Sequence, residues 1–185
     1  MIKKLILVFI ALMFVLPMAG GELKGIKMDD QISVDGKTLF LNGMALRKKI
    51  IFKVYVAGLY LPEKEKSAEK ILGSDTMRVT IMHFMRSVGA GKINGGWYDG
   101  LEDNTPGYSK DLKAKFDVLA KYMEKMKNGG RIIFTYTPLK GTLVKVNGSV
   151  KGTIEGKDFA DALFSCWIGK KPGPGTSFKE DLLGL

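Results

Sequence analysis

The chain has 185 residues, which suits a single domain, and it carries a formal net charge of +10. A basic protein can bind nucleic acid, anionic lipid or a small anion. No basic stretch here is interleaved with aromatic residues as in proteins that bind single-stranded nucleic acid, so we exclude nucleic acid as a partner. With one cysteine and one histidine, the sequence also excludes an internal disulfide and a Cys/His zinc cluster.

The first 21 residues have the pattern of a signal peptide. Two lysines precede an unbroken apolar run over residues 5–16, which is too short to span a bilayer comfortably. Small residues at 19–21 then supply a site of the type that signal peptidase accepts. We predict that residues 1–21 are cleaved and that one domain, 22–185, is periplasmic or secreted. An uncleaved anchor is the alternative, and it also leaves the domain outside the cytoplasm.

The first half of this domain is dominated by strand patterns. Asp35-Gly36, between two short apolar runs, predicts a tight hairpin, and Asn42-Gly43 predicts a further turn. The predicted elements are strands over 31–34, 38–41, 50–61 and 76–84, and a short helix over 67–72 that is capped by Ser67.

The second half alternates helical and strand patterns. Apolar residues at helical spacing predict a helix over 109–127, and Asn147-Gly148 predicts a two-residue hairpin turn. The other predicted elements are helices over 91–101, 158–167 (capped by Asp158) and 178–183, and strands over 131–137, 142–146 and 149–154. Strand runs separated by helical blocks predict an α+β domain with a largely antiparallel sheet.

Two motifs carry a resemblance to a known family. Gly43 and Arg47 form a Gly-x-x-x-Arg motif that leads into Lys-Val-Tyr-Val-Ala-Gly-Leu-Tyr-Leu at 53–61. Near the end, Phe-Ala-Asp-Ala-Leu-Phe-Ser-Cys-Trp-Ile-Gly at 159–169 is followed by a Pro-containing loop and Leu-Leu-Gly. With these motifs the sequence resembles the chalcone isomerase-like superfamily over about residues 28–184. The resemblance implies an open-faced β-sandwich, in which helices pack on one face of a large antiparallel sheet and a ligand lies between them.

The resemblance also implies four ligand-binding residues, Arg47, Tyr55, Lys92 and Cys166. At the position of Arg47, the plant isomerases of this family use an arginine to hold an anionic flavonoid oxygen, and the fatty-acid-binding branch uses one to hold a carboxylate. A guanidinium suits both, because it is always charged and donates two parallel hydrogen bonds. Lys92 aligns with a family lysine, and Tyr55 can share the anion with Arg47. The alternative for Arg47 is a surface arginine on a hairpin that pairs with a carboxylate of its own domain. The alternatives for Tyr55 and Cys166 are a half-buried strand tyrosine and a buried, unreactive thiol.

Departures from the family pattern argue against chalcone isomerisation. Tyr55 stands where the catalytic branch has a threonine, Gly89 where it has a tyrosine, and Gly96 where it has an asparagine. Cys166 replaces a ligand-facing threonine. Losing preorganised donors of this kind costs about 10²–10³ in rate for each. We therefore assign no residue as catalytic.

Three functions that involve a ligand remain open, beside a pure scaffold or partner-binding role. The first is non-catalytic binding of a fatty acid or similar small apolar carboxylate, with no cofactor. The second is an isomerase or intramolecular lyase for an unsaturated ketone or acid, with Arg47 as electrophile and Lys92 or Tyr55 as proton relay. The third is a haem-binding module with His83 as axial ligand, although a histidine inside a strand pattern is more often packed or at the surface. The sequence leaves oligomeric state and membrane contact open.

Overall fold

The computed structural model describes residues 20–185. The predicted signal peptide therefore lies outside the described residues, apart from Gly20 and Gly21. In chain order the first half contains β1 (Gly21–Leu23), β2 (Ile26–Met28), β3 (Gln31–Val34), β4 (Lys37–Lys49), β5 (Phe52–Leu61), α1 (Ala68–Gly73) and β6 (Arg78–Phe84). The second half contains α2 (Ala90–Asn104), α3 (Lys110–Tyr122), β7 (Arg131–Thr137), β8 (Gly141–Val146), β9 (Ser149–Ile154), α4 (Lys157–Ile168) and α5 (Thr176–Leu183).

The main sheet has seven antiparallel strands in the order β3-β4-β5-β6-β7-β8-β9, so each strand pairs with its neighbour in sequence. The sheet curls strongly. Lys140 at the tip of the β7–β8 hairpin contacts Asp35 at the tip of the β3–β4 hairpin, with 2.8 Å from Nζ to Oδ2. In a flat sheet these tips would lie at least three strand spacings, or about 14 Å, apart. The α+β class and the helices packed on one face confirm the predicted architecture.

Strand β5 lies at the centre of the fold and is buried on both faces. Every residue from 55 to 61 is buried, which explains its unbroken apolar sequence. One face, with Tyr55 and Leu59, packs under the helices. The other face, with Val56 and Tyr60, packs against Met28 of the small β1–β2 hairpin, which the sequence did not predict.

Helix α4 packs between the sheet and the other helices, and all of its residues from 162 to 168 are buried. Trp167 packs its ring edge against Trp97 at 5.4 Å between ring centroids and against Phe164 at 6.1 Å. Phe134 of β7 completes this aromatic cluster at 5.8 Å from Trp167. Edge-to-face pairs of this kind add about 0.5–1.5 kcal/mol each beyond the buried area.

The turn predicted at Asn42-Gly43 is wrong, because β4 continues through both residues with a β-bulge. Leu41 pairs with Tyr60 and Gly43 pairs with Leu59, so Asn42 is the extra residue. The Asn42 amide donates to the carbonyl oxygen of Leu182 at 2.9 Å. A Cβ on Gly43 would lie 2.2 Å from the carbonyl oxygen of Asp181, so contact with α5 requires glycine there.

Two helix predictions are wrong, one at the end of α3 and one at the start of α4. The helix predicted over 109–127 ends at Tyr122, and Met126 instead forms an antiparallel bridge with Val88. Asp158 does not cap α4, whose N-cap is Gly156; its carboxylate instead pairs with Lys115 at 2.9 Å.

The strand predicted over 50–61 begins at Phe52, after a turn at Ile50-Ile51. The cap predicted for the first helix is confirmed, since the Ser67 hydroxyl accepts from the Lys70 amide. The hairpin at Asn147-Gly148 is also confirmed, because both residues have positive φ between the paired ends of β8 and β9.

Candidate functional site

A cavity of about 1020 Å³ lies between the sheet and the helices. Its floor comes from the adjoining ends of β4, β5 and β6, and its walls come from α2 and the C-terminal half of α4. The segment 86–89 and the loop at 173–174 close two of its sides. The four residues that the resemblance assigned to ligand binding, Arg47, Tyr55, Lys92 and Cys166, all line this cavity.

A second β-bulge brings Arg47 and Tyr55 to the same cavity. Lys48 pairs with Lys53, but Arg47 pairs with Tyr55, so Val54 is the extra residue. Without the bulge, Arg47 would lie opposite Val54, and Tyr55 would point to the other face of the sheet. With the bulge, Arg47, Val54 and Tyr55 all line the cavity. Bulges commonly re-aim side chains beside functional sites in this way.

The guanidinium of Arg47 is only partly engaged by the protein. One Nη donates to the carbonyl oxygen of Pro174 at 2.9 Å, and the side chain is half-buried. Among residues 20–185, Arg47 forms no salt bridge, unlike the surface arginine of the bland alternative. Its remaining N–H groups can therefore donate to an anion in the cavity.

Tyr55 places a neutral hydroxyl beside Arg47. Its oxygen accepts from Nε1 of Trp167 at 3.2 Å, and its ring packs on Phe84 and Phe178. Burial raises the pKa of Tyr55 to about 12, against the opposing effects of the Trp167 hydrogen bond and the Arg47 charge. The phenol therefore keeps its proton near neutral pH and can donate it to a bound anion.

Cys166 and Lys92 occupy different depths of the cavity. Cys166 is buried, its thiol donates to the carbonyl oxygen of Ala162 at 3.5 Å, and burial raises its pKa to about 12. Such a thiol is unreactive, which agrees with the interpretation of Cys166 as a buried core residue. Lys92 is exposed in the first turn of α2, at the mouth.

The sequence analysis missed other charged residues at the cavity. Arg86 and Lys49 also line it, so four cations meet there with one lining carboxylate, Asp99. The guanidinium of Arg86 stacks over the ring of Phe52 at 4.4 Å. Nothing in the linear sequence links Arg86 to Arg47, because only the pairing of β5 with β6 brings them together. The resulting positive potential would favour an anionic ligand over a cationic one.

Comparison with known proteins shows the family and agrees with the fold. A family model described as chalcone isomerase-like matches residues 20–184. The chain belongs to the chalcone isomerase-like family. Among solved structures, the fold resembles that of a fatty-acid binding protein from Arabidopsis thaliana, with a TM-score of 0.65 and 16% sequence identity over 86% of this chain and 92% of the plant protein. No curated protein sequence matched.

In this chalcone isomerase-like protein, four of the residues that line the cavity at and near the start of α2 carry no side chain. Gly89, Gly91, Gly95 and Gly96 all line it, and a Cβ on any of them would have no atom within 4 Å. Gly89 and Gly96 are the positions where the resemblance places the tyrosine and asparagine of the catalytic branch. The lining at these two positions therefore offers no side-chain donor.

His83 is not part of this cavity. It lies in β6 between Met82 and Phe84, which both line the cavity, so alternation directs His83 to the opposite face of the sheet. Burial and then the nearby charge of Arg131 lower the pKa of His83. A haem in the cavity would not meet this imidazole.

Across residues 20–185, no three His, Cys, Asp or Glu side chains gather into a metal-binding group, and no helix has the length and apolar character to cross a membrane.

Stability should fall as the pH rises from about 9 to about 12. The folded pKa of Cys166 and that of Tyr55 are both about 12, above the usual values of 9.0 and 10.0. The unfolded chain therefore loses these protons at lower pH, and the free energy of unfolding decreases across this window. Guanidinium unfolding from about pH 8 to about pH 12 measures this slope. Burial also raises the pKa of Tyr60 and that of Tyr136 to about 12. The double variant Tyr55→Phe/Cys166→Ala should therefore make the slope shallower without removing it, and an unchanged slope would contradict the assignment.

Proposed function

We propose that this protein binds a fatty acid or a similar small apolar carboxylate in the cavity and does not turn it over. The observation that carries the proposal is the partly engaged guanidinium of Arg47 on the wall of an apolar cavity of about 1020 Å³. Ligand pockets in proteins typically have volumes of about 300–1,000 Å³. We place this function outside the cytoplasm because of the signal-peptide pattern over residues 1–21; the mass of the exported protein tests that part.

The carboxylate would lie between Arg47 and Tyr55. These residues are directly opposite each other on adjacent strands, so their Cβ atoms are about 5 Å apart and both side chains reach one anion. A charge-assisted hydrogen bond from Arg47 contributes about 1.5–3 kcal/mol. Lys92, Lys49 and Arg86 add positive potential at the mouth.

The acyl chain would extend from this head-group site toward the helices. The walls there are formed by the large apolar side chains Met82, Phe84, Ile93, Trp97 and Trp167. Each methylene that leaves water contributes about 0.8 kcal/mol. Binding should therefore strengthen with chain length until the cavity is full.

The same residues argue against proton-transfer chemistry. The pKa of Tyr55 and that of Cys166 are about 12, so neither is ionised near neutral pH. His83 lies on the other face of the sheet. Gly89 and Gly96 provide no side-chain donor. Steady turnover of a chalcone that Arg47→Ala abolishes would favour the isomerase alternative instead.

A series of saturated fatty acids tests the proposal. The dissociation constant, measured by titration calorimetry, should fall by about tenfold for every two methylenes and then level off at the length that fills the cavity. No binding of any acid, together with no acyl chain recovered from the purified protein by mass spectrometry, would refute the proposal.

The glycine-lined wall sharpens this test. Gly96 lines the cavity and a Cβ there meets open space, so in Gly96→Leu we expect the new side chain to take up cavity volume and the levelling-off to occur at a shorter acid than in the wild type. Stability should rise by up to about 1 kcal/mol, because leucine favours a helix more than glycine does. Gly73→Leu is the matched control, because a Cβ added at Gly73 also has no atom within 4 Å but Gly73 does not line the cavity. An unchanged chain-length limit in Gly96→Leu would place the acyl chain elsewhere.

A further inference from the structure

The tip of the β4–β5 hairpin presents three large apolar side chains to solvent. Ile50 is 86% exposed, Ile51 is 81% exposed and Phe52 is 51% exposed. Single exposed apolar side chains are common on soluble proteins, whereas a contiguous group marks a surface that meets another apolar phase. We call residues 48–53 the basic hairpin tip, because Lys48, Lys49 and Lys53 flank these three residues.

The backbone at this tip is unfavourable for the residue that it carries. Ile50 has φ of +57°, in the left-handed region that a β-branched side chain rarely adopts. The other two-residue hairpins of the same sheet use Asp35-Gly36 and Asn147-Gly148 in the turn, which are the residue pairs suited to positive φ. At Ile50 the protein therefore holds an exposed apolar side chain at a conformational cost of about 1–3 kcal/mol.

The charges of the tip are also unpaired within the described chain. Lys48 and Lys53 lie directly opposite each other on the two strands, an arrangement of like charges that destabilises an antiparallel pair. Neither of them, nor Lys49, forms a salt bridge among residues 20–185. An anionic surface would relieve this repulsion.

We propose that the basic hairpin tip docks the protein on an anionic phospholipid bilayer, with Ile50 and Ile51 inserted at the interface and the lysines on phosphate groups. Apolar insertion combined with basic residues is the usual composition of peripheral membrane anchors, and each lysine near such a surface contributes about 1 kcal/mol. A protein partner fits less well, because a stable interface buries about 800 Å² on each side and a two-residue turn offers far less.

Docking in this way would bring the cavity to the lipid surface. Lys49, Ile50 and Phe52 belong both to the basic hairpin tip and to the lining of the cavity. A ligand with an acyl chain would then pass between bilayer and cavity without crossing water. The docking itself does not depend on the proposed fatty-acid binding, and it is tested with vesicles that contain no free fatty acid.

The test places a fluorophore at the tip. Its emission then reports contact of the tip itself with the bilayer, and not contact made by the N-terminal segment. Ile51→Cys is made in a Cys166→Ala background and labelled with an environment-sensitive dye. Leu139→Cys is the matched control, because Leu139 is fully exposed on a hairpin tip at the opposite end of the sheet. With vesicles of about 30% phosphatidylglycerol, the emission at 51 should shift to the blue and the emission at 139 should not. Equal shifts at both sites, or none at 51, would overturn the proposal.

A second variant tests the apolar side chains themselves. Ile50→Asn/Ile51→Gly gives the basic hairpin tip the Asn-Gly pair of the β8–β9 hairpin. Asparagine tolerates the positive φ of residue 50 better than isoleucine does, so the fold should be at least as stable. Its partitioning onto anionic vesicles, measured by flotation, should fall by about tenfold or more. Undiminished partitioning would overturn the proposal. A blue shift at 51 that appears without vesicles and grows with protein concentration would also overturn it, in favour of self-association.

Discussion

In Arg47→Met, the affinity for a long-chain fatty acid should fall by about 10- to 100-fold, whereas the affinity for its methyl ester should change by less than about threefold. The guanidinium offers charge-assisted hydrogen bonds worth about 1.5–3 kcal/mol to a carboxylate, and an ester cannot accept them with full charge. Methionine keeps most of the apolar stem, so the acyl chain loses little contact. Titration calorimetry on the four combinations of protein and ligand isolates the pairwise coupling energy.

The matched control for this cycle is Arg131→Met. Arg131, like Arg47, lies near the end of a strand, but it is exposed and does not line the cavity. Its replacement removes the same charge from the protein and should leave both affinities unchanged. If Arg131→Met weakens the acid as much as Arg47→Met does, the effect comes from net charge and not from a head-group site. If acid and ester respond equally to Arg47→Met, the carboxylate does not contact Arg47.

Arg78→Met should lower the free energy of unfolding by about 2–4 kcal/mol, which corresponds to about 5–15 °C in melting temperature. Arg78 is fully buried, donates to the carbonyl oxygen of Ile71 at 2.7 Å and pairs with the carboxylate of Asp161. Its guanidinium also lies 5.0 Å from the ring centroids of both Tyr136 and Phe164. The variant leaves a buried carbonyl without its donor and removes both cation–π contacts.

The control for this stability measurement is Arg86→Met. Arg86 also stacks over an aromatic ring, but it is exposed to solvent. Exposed cation–π contacts contribute about 0.5–1 kcal/mol, so this variant should change stability much less. Asp161 retains Lys157 at 2.5 Å in Arg78→Met, which keeps the expected loss at the lower end of the range for broken buried ion pairs. Equal losses in the two variants would show that burial of Arg78 is unimportant.

Much of the fold could be predicted because local signals agree with the tertiary structure. Asp35-Gly36 and Asn147-Gly148 mark hairpins by their capacity for positive φ, and both predictions are confirmed. The turn at Ile50-Ile51 could not be predicted in this way, because neither residue favours a turn and both look like strand residues. The helix predicted for α3 is too long at its C-terminal end. Met123 and Met126 continue the helical spacing of apolar residues, although the backbone has already left the helix there.

By itself, the sequence determined the family, the α+β class and the four candidate residues that line one cavity. The α+β class follows from local periodicity, and the four residues follow from the family resemblance that two short motifs carry. Only the tertiary structure decided that Val54 forms a bulge, that Arg47 and Tyr55 therefore share a face, and that Arg86 joins them. It also decided that His83 faces away and that Gly43 carries no side chain because α5 passes against it. Strand register, bulges and close contacts between distant segments depend on packing across the whole sheet, and no local pattern contains that information.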